Sequence, residues 1–270
     1  MLPKRDGRLD SIYLSRQTLL EIESLAREMT RNVISVTHDF GHLKRIGIGA
    51  SWFVKVMGGT KEEQEIAYAA GLLHDIVRPA SEKVCHAEAS AKESEKILSK
   101  LRLDKDTKNL IVQAIKDHRL PVKWVSPLHQ SVYLADKILE QMGAFVAFRR
   151  CYYVGECQDY KGVEMEEAFR KHFAYRMDRI KKTDFPKSVR RLLDYQWKWL
   201  QDFSVLLNKR EPWAVRMSSH MFEAAMKRIH LEDAIRSYKP DSKDAERYRK
   251  EAMDYLEGKK FGEFEKLVNP

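Results

Sequence analysis

Turn-forming residues and cysteine are scarce in this chain of 270 residues. Its 12 glycines and 8 prolines leave little room for the closely spaced turns of an all-β fold, and no run of alternating apolar and polar residues reads as a strand. Three cysteines, Cys85, Cys151 and Cys157, are an odd number at spacings that fit neither a disulfide framework nor a zinc knuckle, so they read as reduced thiols. No stretch reaches the roughly 18 apolar residues of a membrane span, and the charged start MLPKRDGRLD leads into no apolar signal region. The chain therefore reads as cytoplasmic. No internal repeat, low-complexity tract or glycine-rich phosphate loop is present, which removes the P-loop and dinucleotide fingerprints.

What is present is helix. Hydrophobic residues make up 43% of the chain, enough for a substantial core, and they recur at intervals of three and four. The spacing predicts helices near 16–30, 39–57, 61–77, 83–100, 105–118, 127–143, 164–182 and 187–208, with turns at 58–61, 78–81 and 120–127 and a less regular stretch around Gly155 to Gly162. The segment 211–270 reads as two more helices. The second is placed at about 242–257, with Gly258 as its stop. Trp213, Met217, Met221, Phe222, Met226 and Ile229 form one apolar stripe within that segment, and packing against the protein's own core is its expected fate. A net charge of +9 favours anionic partners, but basic residues are interspersed with nearly as many acidic ones, so charge alone does not select nucleic acid.

Chemistry concentrates in Ala69-Ala70-Gly71-Leu72-Leu73-His74-Asp75-Ile76-Val77. An aspartate between Leu73 and Ile76 must be hydrogen-bonded, paired or bound to a cation, because burying it alone costs several kcal/mol, roughly. A divalent metal would satisfy His74 and Asp75 together. The small residues at 67 and 69–71 would let neighbouring helices approach and bring further ligands in. Candidates of the right kind lie on other helices: His38 and His42, four apart and so on one helix face, then His86, His118 and Asp136, the last a carboxylate inside the apolar run Val132 to Leu139. Lone histidines on apolar faces, here His129, His172, His220 and His230, are expected to be satisfied core residues rather than ligands.

The order His, then His-Asp, then Asp on separate helices resembles the HD superfamily of metal-dependent phosphohydrolases. Within it the chain is similar to bacterial and archaeal hydrolases whose first ligand lies in a His-Asp-x-x-His-x-x-Arg-Val type run, here His38-Asp39-Phe40-Gly41-His42-Leu43-Lys44-Arg45-Ile46. The resemblance implies an all-α helical bundle with metal ligands His42, His74, Asp75 and Asp136. It places the earlier doublet His38-Asp39 outside the ligand set, as a pocket-shaping, capping or surface pair. His86 and His118 fall where binuclear members hold a second ion, for which Asp75 would be the bridge. The similarity runs from about 38 to 208, which divides the chain into a hydrolase domain, 1–210, with a C-terminal helical hairpin, and a helical extension, 211–270. Cyclic-dinucleotide phosphodiesterases of the superfamily carry His-Asp-x-Gly-Lys and Gly-Tyr-Pro, whereas this chain has His74-Asp75-Ile76-Val77-Arg78 and no Gly-Tyr-Pro.

The implied activity is hydrolysis of a phosphoester or phosphoanhydride, with a nucleotide or related phosphorylated small molecule as substrate. His74 and Asp75 stand at the catalytic centre, and Arg45, Arg78, Arg119 and Lys137 are candidates to grip the phosphate. Nitrogen and carboxylate ligands without cysteine suit Mn, Fe, Co, Ni, Zn or Mg, as one ion or two. A diadenosine-polyphosphate or alarmone hydrolase is an alternative on the same scaffold. From a different class, a nucleotide or nucleic-acid binding module would keep the helices without needing a complete ligand set.

Overall fold

The helix starts are written locally. Ser15, Asp39, Thr60, Asp104, Ser126 and Ser242 each cap a helix by accepting a hydrogen bond from a backbone N–H three residues on, a device worth about 1 kcal/mol apiece. Thr60 and Glu63 complete a reciprocal capping box. Pro127 and Pro212 occupy first helical positions, where a missing N–H costs nothing. Gly58 and Gly258, at φ +84° and +75°, end two helices in the left-handed conformation that favours glycine.

The computed structural model describes residues 14–32, 36–78, 85–119, 124–182 and 185–269. The N-terminal MLPKRDGRLD and parts of the turns expected at 78–81 and 120–127 lie outside them. The described residues form thirteen α-helices and no strand: α1 (Arg16–Met29), α2 (Phe40–Val56), α3 (Lys61–Leu73), α4 (His86–Ser99), α5 (Lys105–Lys116), α6 (Pro127–Lys137), α7 (Phe145–Glu156), α8 (Met165–Lys182), α9 (Lys187–Asn208), α10 (Pro212–Met226), α11 (Leu231–Ser237), α12 (Lys243–Leu256) and α13 (Phe261–Val268). The chain is all-α, as the periodicity predicts.

Three local readings need correction. The helix expected over 127–143 ends at Lys137 and gives way to a 3-10 turn at Leu139–Gln141, so Glu140 leaves the regular helix face. α7 lies where no helix is expected, because a helix buried nearly all round has no polar face to make a periodicity. The segment 211–270 holds four helices rather than two. Its apolar stripe is shorter than expected: Trp213, Met217 and Met221 are buried, but Met226 is 64% and Ile229 41% exposed.

Two apolar cores result. One joins α1 to α6 through small and aliphatic side chains such as Leu43, Ile46, Ala67, Ala70, Leu73, Ile111 and Val132. The other runs from α2 and α6 through α7, α9 and α10 to α13 and is aromatic, with Phe145, Phe148, Tyr152, Phe203, Trp213 and Tyr248. α2 and α6 contribute to both.

Candidate metal centre

Five helix ends meet at one place. His42 lies in the first turn of α2, whose cap Asp39 accepts from the His42 N–H. His74 caps the C-terminus of α3 and Asp75 follows it. His86 opens α4, His118 comes just after α5, and Asp136 is in the last turn of α6. The α2–α3 approach that makes this possible depends on glycine, since a Cβ on Gly71 would stand 2.6 Å from Gly47 Cα and N, inside any tolerable contact.

His42, His74 and Asp136 offer ligand atoms that all lie within 4.8 Å of one another. So do His74, Asp75 and His118, and His38, His42 and Asp75. The three triads overlap rather than forming a single shell of four. His42 Nε2 and His74 Nε2 are 3.2 Å apart, and His42 Nε2 is 3.9 Å from Asp136 Oδ1. Asp75 is central, with Oδ2 3.7 Å from His74 Nε2 and 3.9 Å from His38 Nε2, and Oδ1 3.7 Å from both His86 Nε2 and His118 Nε2.

The outward nitrogens set the inward ones. His74 Nδ1 is 2.8 Å from the Gly71 carbonyl and His118 Nδ1 2.6 Å from the Ile115 carbonyl. Nδ1 must therefore carry the proton in each, which leaves an Nε2 lone pair facing the cluster. His42 Nδ1 faces Glu140 Oε1 at 3.2 Å, a little off the hydrogen-bonding line. Asp75 Oδ1 and His118 Nε2 are buried with no hydrogen-bond partner, and one cation between them would satisfy both. Oxygen and imidazole donors of this kind fit a divalent ion.

Protonation states agree. Burial alone would raise the Asp75 carboxyl, but His74, Arg78, His118 and His38 outweigh it and hold it well below the usual range. The same balance, struck against Lys137, His42, His74 and His118, holds Asp136 down. Burial lowers His38 and His74, and pushes His86 to about 4 and His118 to about 3. Ionised carboxylates beside neutral imidazoles are what a cation requires.

Sequence reasoning missed Glu140. It is 1% exposed and gathers Arg45 (2.9 Å from Nε, 2.7 Å from Nη2), Arg149 and His42. Burial would raise it, yet Arg149, His42 and Arg45 keep it ionised. The signal was available, because an acid between Leu139 and Met142 poses the question already asked of Asp75. Arg45 also pairs with Glu232 of α11, and His230 Nδ1 sits 2.7 Å from the capping Asp39. The C-terminal segment thus touches the surroundings of His42.

The four expected phosphate-binding cations are placed differently from one another. Arg78 Nη1 is 3.0 Å from Asp75 Oδ2, Lys137 contacts Asp136, Arg119 is exposed, and Arg45 is held between Glu140 and Glu232. His129, His172, His220 and His230 bond elsewhere, to Ser126, Tyr160, the Ala234 carbonyl and Asp39. No helix among the described residues is long and apolar enough to cross a membrane.

Comparison with known proteins bears on the fold and the family. No curated protein matches the sequence. Among solved structures, Bacillus subtilis YpgQ, crystallised in complex with ADP, is similar at a TM-score of 0.52 and 18% identity, over 72% of this chain and 97% of that one; at that identity the likeness is one of fold. The sequence matches the HD domain family over residues 38–140, a span that opens on His38, closes on Glu140 and includes every residue of the three triads. Residues 38–140 thus have the sequence pattern of an HD domain.

Proposed function

We propose that this protein is a metal-dependent phosphohydrolase, with His42, His74, Asp75 and Asp136 holding the ion and a nucleotide or similar phosphorylated small molecule as substrate. One observation carries the reading: Nδ1 of His74 and His118 is tied outward to backbone carbonyls while their Nε2 atoms face Asp75. A purely structural ion-pair network needs no such common orientation. A divalent ion bound there supplies a hydroxide nucleophile at neutral pH and offsets negative charge on phosphoryl oxygens.

The chain's own residues do the rest. Asp75, within 4 Å of four histidines, would hold a second ion together with His86 and His118 if one binds. Glu140 orients His42, and Arg45, saturated by two carboxylates, positions Glu140 rather than gripping substrate. Arg78 and Lys137, each about 30% exposed, sit on ligand carboxylates and reach solvent, where a phosphate oxygen can take one of their N–H groups. The ADP bound to the structurally similar YpgQ supports testing nucleotides first.

The test is a metal-supplemented screen of nucleoside mono-, di- and triphosphates, dinucleotides and generic phosphoesters, with Asp136→Ala as control. Hydrolysis that needs added metal and vanishes in the variant is expected. Failure with every substrate and metal, or equal rates in the variant, overturns the assignment.

A further inference from the structure

Arginine stays protonated at any pH a folded protein survives, so burying a guanidinium without a counter-charge is costly. α7 does this at Arg150. The residue is 5% exposed, its Nε has no hydrogen-bond partner, and its recorded aromatic contact is the Tyr153 ring, 6.0 Å from Cζ. Its surroundings add positive charge. Arg149 is 4% and Arg176 9% exposed, and Arg176 donates to Gln141 Oε1 at 2.8 Å and to the Lys137 carbonyl. The nearby carboxylate, Glu140, is already shared among Arg45, Arg149 and His42. His172 reports the same field: burial first, then Arg150, Arg176 and Arg149, push its ring down to about 2.

This block borders the His/Asp centre. Arg149 holds the carboxylate that faces His42, and Arg176 bonds the backbone at Lys137, one residue from Asp136. We propose that Arg150, flanked by Arg149 and Arg176, is a subsite for a second phosphate group of the substrate, so that the preferred substrate carries a phosphoanhydride chain rather than a lone phosphomonoester. The proposal rests on the phosphohydrolase reading. A phosphate oxyanion supplies the missing counter-charge, and arginine can meet it bidentately. In the reaction, a water oxygen bonds to the phosphorus held at the His/Asp centre and the P–O bond to the bridging oxygen breaks. The protons of water are shared between the two phosphate products.

The test measures binding and turnover separately on the full chain. Titration calorimetry and thermal shift with inorganic tripolyphosphate, with and without chelator, compare wild type with Arg150→Met and Arg150→Lys. Hydrolysis of a nucleoside triphosphate is set against that of p-nitrophenyl phosphate. Tripolyphosphate should bind wild type and lose about 10-fold in Arg150→Met, as expected for losing a charged hydrogen-bond donor, with partial recovery in Arg150→Lys. KM for the triphosphate should rise by a similar factor while p-nitrophenyl phosphate turnover stays within about twofold. If Arg150→Met does not fold, Arg150→Lys carries the comparison, with a smaller loss expected. No tripolyphosphate binding by wild type, or equal affinity in folded variants, overturns the subsite. Wild type that binds tripolyphosphate through Arg150 yet hydrolyses nothing overturns the phosphohydrolase reading and leaves the anion site standing.

Discussion

The two cores of the molecule are built from different residues for different ends. The α1–α6 core is small and aliphatic, and its helices come close enough that Gly71 has no room for a Cβ against Gly47. The α7–α13 core is aromatic, with rings such as Phe145 and Tyr255 stacked at 4.7 Å and Trp213 against Tyr248 at 4.9 Å. Short side chains bring helix axes together, which bringing candidate ligands from five helix ends to one point requires. Large rings fill the wider spaces of a supporting body. The supporting body also reaches the site through Glu232 on Arg45, Arg149 on Glu140, and His230 on Asp39. If this division of labour is right, damage to the first core should be read in the metal centre, and damage to the second in stability before chemistry.

The largest effect should come from removing the second core's outer helices. A chain ending at residue 210 loses Trp213, Met217 and Met221, all at most 6% exposed, and uncovers the aromatic face of α7. Aggregation or a greatly lowered Tm is expected, since each such side chain contributes about 1.5–3 kcal/mol on burial. A soluble, monomeric truncation of unchanged Tm would show that the two cores are independent. Next comes Gly71→Ala, whose added methyl meets Gly47 backbone rather than a side chain that can move. A loss of about 1–3 kcal/mol in urea unfolding is expected, together with weaker metal affinity; stability lost with metal affinity intact would break the link between close packing and the site.

Glu232→Gln should act more gently. It removes one of two carboxylates on Arg45 while leaving Glu140 in place, so metal affinity or turnover should fall by roughly 10-fold or less, the lower end for an outer-shell residue, with Tm nearly unchanged. No change in either would detach the C-terminal helices from the chemistry. The smallest effect concerns pH. His172 titrates near 6.5 when unfolded but at about 2 in the fold, so below 6.5 the unfolded chain binds the extra proton and stability falls as pH falls towards the folded value. His172→Phe should flatten that decline by about one proton between pH 6 and 4, seen in Tm against pH; an unaltered slope would mean that the ring is not held neutral.

Much of this was legible in the sequence, unevenly. His74-Asp75 and Asp136 stand out because carboxylates in apolar runs demand partners, and that demand survives ignorance of the fold. His42 could be separated from His38 only through the pattern of the whole first run. α7 was invisible for the opposite reason, since burial on every side erases the contrast on which helical periodicity depends. Arg149 and Arg150 follow from it: their meaning lies in a buried charge balance between elements far apart in the chain, which spacing does not encode, whereas Glu140, an acid in an apolar stretch, carries the same signal as Asp75. Four helices in place of two after residue 210 reflect short elements, such as the seven residues of α11, below the length at which a stripe can be read.

The most direct test of the central claim is metal content by elemental analysis of the wild-type protein, before and after chelation and reloading, beside Asp75→Ala checked by circular dichroism. Wild type should reload one or two divalent ions per chain and recover hydrolysis, while the variant keeps its helical signal, binds less metal and loses activity by more than the 10–100-fold of an outer-shell change. Full metal loading and full activity in a folded Asp75→Ala would contradict the account at its root.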